Sequence, residues 1–87
     1  MSTTHQSFKQ TLDQTHSWPC QYMFKFIVPL PQKDRVLELF QEQDAISTRK
    51  SRNGQYISVT AKCRMRSSEE VIAVYEAASR IEGIVSL

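Results

Sequence analysis

The amino-acid sequence predicts one α+β domain. Two segments alternate apolar and polar residues with period two, two others carry helical stripes, and an Asn-Gly pair sits between β-prone arms. A chain of 87 residues has room for one core. With 40% hydrophobic and 23% charged residues it is too apolar for full disorder. The longest apolar stretch, from Tyr22 to Leu30, is interrupted by Lys25 and closed by Pro29 and Pro31, so a spanning helix is excluded and no membrane role is expected. The first ten residues hold no charged leader followed by an apolar block, so a cytoplasmic location is expected.

Residues 1–17 are dominated by Ser, Thr, Gln and His, which predicts a flexible polar N-terminal tail ahead of a folded domain at 18–87. Phe8 and Leu12 are spaced to share a helix face. A helix this short is marginal without packing, so coil is the expectation there.

From Cys20 to Val28, alternation puts Tyr22, Phe24, Phe26 and Val28 on one face of a strand. Pro29 and Pro31 stop its ladder, and Pro31 suits the first turn of a helix. Between Gln32 and Gln43 the apolar residues Val36, Leu37, Leu39 and Phe40 form a helical stripe, with Asp34 near the positive end of the helix dipole. Ile46–Ser51 is β-prone. Asn53-Gly54 then predicts a tight hairpin with both residues at positive φ. In the second arm Ile57, Val59, Ala61, Cys63 and Met65 alternate with Tyr56, Ser58, Thr60, Lys62 and Arg64, which assigns the first set to the core and the second to the opposite sheet face.

Ser67 and Glu70 fit a capping box that opens a second helix, whose Val71, Val74, Tyr75, Ala78 and Ile81 share one side. Gly83 suits a left-handed helix end, and Ile84–Leu87 reads as an edge strand. The order β-α-β-β-α-β predicts the ferredoxin-like plait: a four-stranded antiparallel sheet, first and third strands central, two helices on one face.

Trp18-Pro19-Cys20, the segment Ile46–Thr60 with Asn53-Gly54, Tyr56 and Ser58, residues Ser68–Tyr75, and the terminal Ile84–Leu87 together resemble the YbeD-like family of small uncharacterised bacterial proteins. The resemblance covers residues 18–87. It implies a fold like that of ACT-type regulatory domains and a non-catalytic role, and it carries no agreed catalytic or ligand-binding residues to transfer.

Candidate chemistry is sparse. No convergent set of nucleophile, base and charge-stabilising groups is visible, so neither an enzyme nor a cofactor is expected. His5 and His16 lie in the tail segment, and His16 with Cys20 offers two of the three or four ligands that zinc takes. Cys20 and Cys63 lack CxxC partners and are expected as free thiols, Cys63 acting as a small buried hydrophobe.

Charge is more informative. The formal net charge is only +2, yet between Ser47 and Arg66 the chain carries Arg49, Lys50, Arg52, Lys62, Arg64 and Arg66 with no acidic residue. Gln32–Asp44 holds two basic and four acidic residues, and Ser67–Glu82 one and four. A basic hairpin and sheet face thus opposes acidic helices. Arg49, Lys50, Arg52, Lys62 and Arg64, with Tyr56, are the candidate contacts for a small anionic ligand or an acidic protein partner. The plainer alternative is a solvated face whose cations discourage edge pairing. RNA binding on the open sheet face is the competing function, but the third strand lacks the aromatic pattern of RNA-binding sheets, and nucleic acid ranks lower. A homodimer or protein contact through sheet edges is the third option.

Overall fold

Alternation builds two long central strands around which the remaining elements are arranged. The computed structural model describes residues 3–87. In chain order its elements are α1 (Thr3–Thr15), β1 (Cys20–Pro29), a 3-10 turn (Leu30–Gln32), α2 (Lys33–Leu37), β2 (Ala45–Lys50), β3 (Tyr56–Met65), α3 (Ser68–Ala78) and β4 (Val85–Ser86). The four strands form one antiparallel sheet in the order β2-β3-β1-β4, as a ferredoxin-like plait requires. β1 and β3 pair without interruption from Cys20 opposite Met65 to Pro29 opposite Tyr56.

The parity expected of these strands holds. Phe24, Phe26 and Val28 of β1 and Ile57, Val59, Ala61 and Cys63 of β3 are buried beneath the helices. They are joined by Val36 of α2, by Val71 and Ala78 of α3, and by Ile81. Each large side chain enclosed here contributes about 1.5–3 kcal/mol.

Three expectations are corrected. The first is the tail: residues Thr3–Thr15 are helical rather than coil, and Leu12 is 3% exposed within the core cluster. Phe8 meets Tyr75 edge-on with ring centroids 5.6 Å apart, and Lys9 Nζ lies 3.6 Å from Glu69 of α3. The helix is stabilised by the α3 surface it covers, which supplies the packing that an isolated segment lacks. His16 belongs to this helix end, its N–H donating to Leu12 O and its ring stacked on Trp18. The side chain of His5 lies outside the described residues.

The second correction concerns α2. The stripe from Gln32 to Gln43 yields only five α-helical residues, flanked by the 3-10 turn and by turns through Phe40. Leu37 at the end of α2 still packs against the core, and so do Leu39 and Phe40 from the turns that follow.

The third is the hairpin. Among the described residues no non-glycine has positive φ, so Asn53 does not form the tight two-residue turn. Of that pair Gly54 alone is left-handed, at φ 73°. The loop is longer: Ser51 N–H donates to Tyr56 O, Gly54 N–H to Ser51 O, and Asn53 Oδ1 accepts from Gln55 N–H and Ser51 Oγ. The Asn side chain here shapes the turn by accepting local backbone and hydroxyl donors.

At α3, Ser67 Oγ accepts from Glu70 N–H as a helix cap should. The Glu70 carboxylate reaches back one residue further than a capping box predicts, accepting from Arg66 N–H at 2.8 Å. Gly83 has φ 78°, and a Cβ there would stand 2.9 Å from Pro29 Cγ, so both backbone conformation and packing require glycine.

Candidate interaction surface

The same alternation that buries one side of β1 and β3 presents the other to solvent, since none of the described helices covers it. Registered pairs run in rows across this open face. Arg49, Ser58, Ile27 and Val85 form one row, and Ser47, Thr60 and Lys25 the next, with Leu87 N–H donating to Lys25 O at its end. Ala45, Lys62 and Met23 form the third row, then Arg64 opposite Gln21; Tyr56 opposite Pro29 closes the hairpin end.

Two properties stand out. Met23, Tyr56, Val85 and Leu87, four of the five exposed large hydrophobic residues among those described, lie on this face, at 57%, 47%, 52% and 63% exposure. Its charged residues are Lys25, Arg49, Lys62 and Arg64, without an acidic side chain among them. Among the described residues, ion pairs join Lys9 to Asp13 and Glu69, and Arg66 to Glu70, and no face cation takes part in one.

The six residues expected to act together are thus divided by the register. Arg49, Tyr56, Lys62 and Arg64 share the open face. Lys50 stands opposite Ile57 and so points to the helix side of the edge strand, while Arg52 lies in the hairpin loop. Arg49, Lys50 and Arg52 nevertheless border one shallow concavity of about 500 Å³, together with Ile27, Ser51 and Ser58. Met23, Lys25, Ile27, Val85 and Leu87 were not anticipated as contact candidates. The signal for the first three was available, because they alternate with Tyr22, Phe24, Phe26 and Val28 in β1.

The aromatic residues sit elsewhere. Tyr22, Phe24, Phe26, Phe40 and Tyr75 cluster on the helix side, with Tyr22 and Tyr75 hydroxyls 3.1 Å apart. Burial, followed by this contact, pushes the Tyr75 phenol up from its ordinary value. On the open face only Tyr56 is aromatic, at the rim rather than in the central rows where bases would stack.

Both cysteines are free. Burial, with Asp44 nearby, pushes the Cys63 thiol up to about 12, so it stays protonated and unreactive at neutral pH. Among the described residues no group of three or more His, Cys, Asp or Glu side chains could hold a metal ion, and no helix is long and apolar enough to cross a membrane.

No curated protein and no solved structure matches the chain. A family model described as "Protein of unknown function (DUF493)" matches residues 13–87, beginning inside α1 rather than at Trp18. That family is the YbeD family indicated by the hairpin and its flanking segments, and the chain belongs to it.

Proposed function

We propose that this protein is a non-catalytic interaction module of the regulatory, ACT-like kind, whose open sheet face and hairpin bind an acidic segment of a protein partner. The observation that carries this reading is the composition of the face: its charged residues are all basic, and it holds most of the exposed large apolar side chains of the described residues. A solvated face meant only for solubility has no need of Met23, Val85 and Leu87 among its cations. A broad, shallow surface favours a macromolecular segment over a small anion, which is held best in an enclosed pocket.

The test is fluorescence anisotropy of the full chain with a labelled seven-residue peptide of alternating Glu and Val, run beside single-stranded RNA of similar length. Peptide binding that weakens with salt and falls at least tenfold in R49E/K62E/R64E is expected. Unchanged peptide binding in that variant overturns the reading, and so does tighter binding of RNA with a steep salt slope.

A further inference from the structure

The β2 edge of the sheet has unused backbone bonding capacity. Among the described residues β2 pairs only with β3, and every one of its six residues is exposed. Its register is continuous, and the strand contains no proline and no bulge. The opposite edge, β4, is two residues long. Short length, proline, bulges and covering elements are the usual protections of an edge, and β2 has none of them. The brevity of α2 contributes directly, because the helix-side surface of β2, formed by Ile46, Thr48 and Lys50, is left bare.

The hydrogen-bond parity identifies which backbone groups are free. Ser51 N–H donates to Tyr56 O, which makes Ser51 and Tyr56 a hydrogen-bonded pair. In an antiparallel ladder such pairs recur at every second residue, so Arg49, Ser47 and Ala45 also turn their N–H and C=O toward β3. Those of Ile46, Thr48 and Lys50 therefore point away from the sheet.

Charge is the one protection this edge retains, and it is selective. Arg49 and Lys50 end the strand, Arg52 follows in the loop, and no acidic residue occurs from Ala45 to Arg66. Such an edge repels basic strands and attracts acidic ones. Ile46, at 36% exposure, offers an apolar contact toward the other end. A shallow concavity of about 280 Å³, lined by Ala45, Ile46, Ser47, Thr60 and Lys62, extends that contact around the edge.

We propose that β2 accepts an extended acidic segment of the partner as a fifth strand, bonded through the outward backbone groups of Ile46, Thr48 and Lys50. Its carboxylates face Arg49 on the open side and reach Arg52 in the loop, and its apolar side chains lie on the helix side beside Ile46. This rests on the acidic-partner reading and specifies how that partner is held. Backbone pairing supplies affinity, and the cations select the sequence.

The experiment keeps the two readings apart. The alternating Glu-Val peptide is titrated into isotopically labelled full chain, alongside two versions carrying backbone N-methyl groups at odd or at even positions. Strand addition predicts that one methylated version binds at least tenfold more weakly, because its ladder donors are gone while its charges remain. It also predicts that amide exchange at Ile46, Thr48 and Lys50 slows on binding the unmodified peptide. T48P, which removes one outward N–H and leaves the ladder to β3 intact, weakens that peptide by a similar factor. If all three peptides bind equally and the shifts fall on Met23, Lys25 and Lys62, strand addition is overturned and face binding survives. If no peptide binds, both fall. A concentration-dependent dimer that occupies β2 and that the peptide does not displace would give the edge to a second copy and overturn the assignment.

Discussion

At the centre of the sheet the two faces are made from the same two strands, β1 and β3, and differ in parity. On the helix side Phe24, Phe26, Val28, Ile57 and Val59 are enclosed, and on the open side Met23, Lys25, Ile27, Ser58 and Thr60 occupy the intervening positions. The enclosed set holds the fold through apolar area removed from water. The open set is not enclosed by the core, and its groups remain available to another molecule. One residue of slip would exchange the two roles.

The largest effect that sharpens this contrast is at neighbouring positions of β1. Phe24→Ala is expected to cost about 3–5 kcal/mol, enough to threaten a domain of this size, whereas Met23→Ala should stay within about 1 kcal/mol. Urea denaturation of both variants measures the difference, and similar midpoints would break the assignment of faces.

Next comes the cover on the enclosed side. Leu12→Ala is expected to cost about 2–3 kcal/mol, toward the lower end for a buried leucine because α1 lies at the margin of the core. A thermal melt indistinguishable from that of the parent would detach α1 from the cooperative unit. The same helix carries a pH dependence. Hydrogen bonds from Lys9 and Trp18 lower the Asp13 carboxyl below its ordinary value. A depressed folded-state pKa gives stability that is present above the unfolded value and lost as pH falls through the folded one. Acid should therefore loosen α1, read as faster amide exchange in residues 7–15 relative to β1 and β3.

Smaller still is the contrast between the two glycines. Both have positive φ, but Gly83 abuts Pro29 whereas Gly54 has nothing within 4 Å of a would-be Cβ. Gly54→Ala should cost about 1 kcal/mol for its backbone alone, and Gly83→Ala about 2–3 kcal/mol because packing strain adds to it. Equal losses in denaturant titrations would mean that the Pro29 contact relaxes freely. The smallest effect belongs to the open face: R49E/K62E/R64E should leave stability within about 0.5 kcal/mol of the parent, since exposed cations without ion-pair partners have little to lose.

Much of this architecture was legible in residue order. The alternation in β1 and β3, the Ser67 cap and the left-handed Gly83 are local signals, each with its cause within a few residues. The hairpin was legible as a turn but not as a turn type, because Asn53 satisfies donors with its side chain instead of adopting positive φ. The candidate surface was half legible. A run of cations is visible in sequence, and the alternation of β1 already puts Met23 and Lys25 on the open side, but the register decides that Lys50 leaves the face.

By itself the sequence determined which side of each central strand is apolar and where cations accumulate, since both follow from residue type and a period of two. Only the tertiary structure decided that Thr3–Thr15 is helical, that α2 is too short to cover β2, and that residues from all four strands meet on one open face. Those outcomes depend on contacts between segments far apart in the chain. Leu12 is helical because α3 and the core enclose it, and β2 is bare on its outer edge because no neighbouring element extends over it.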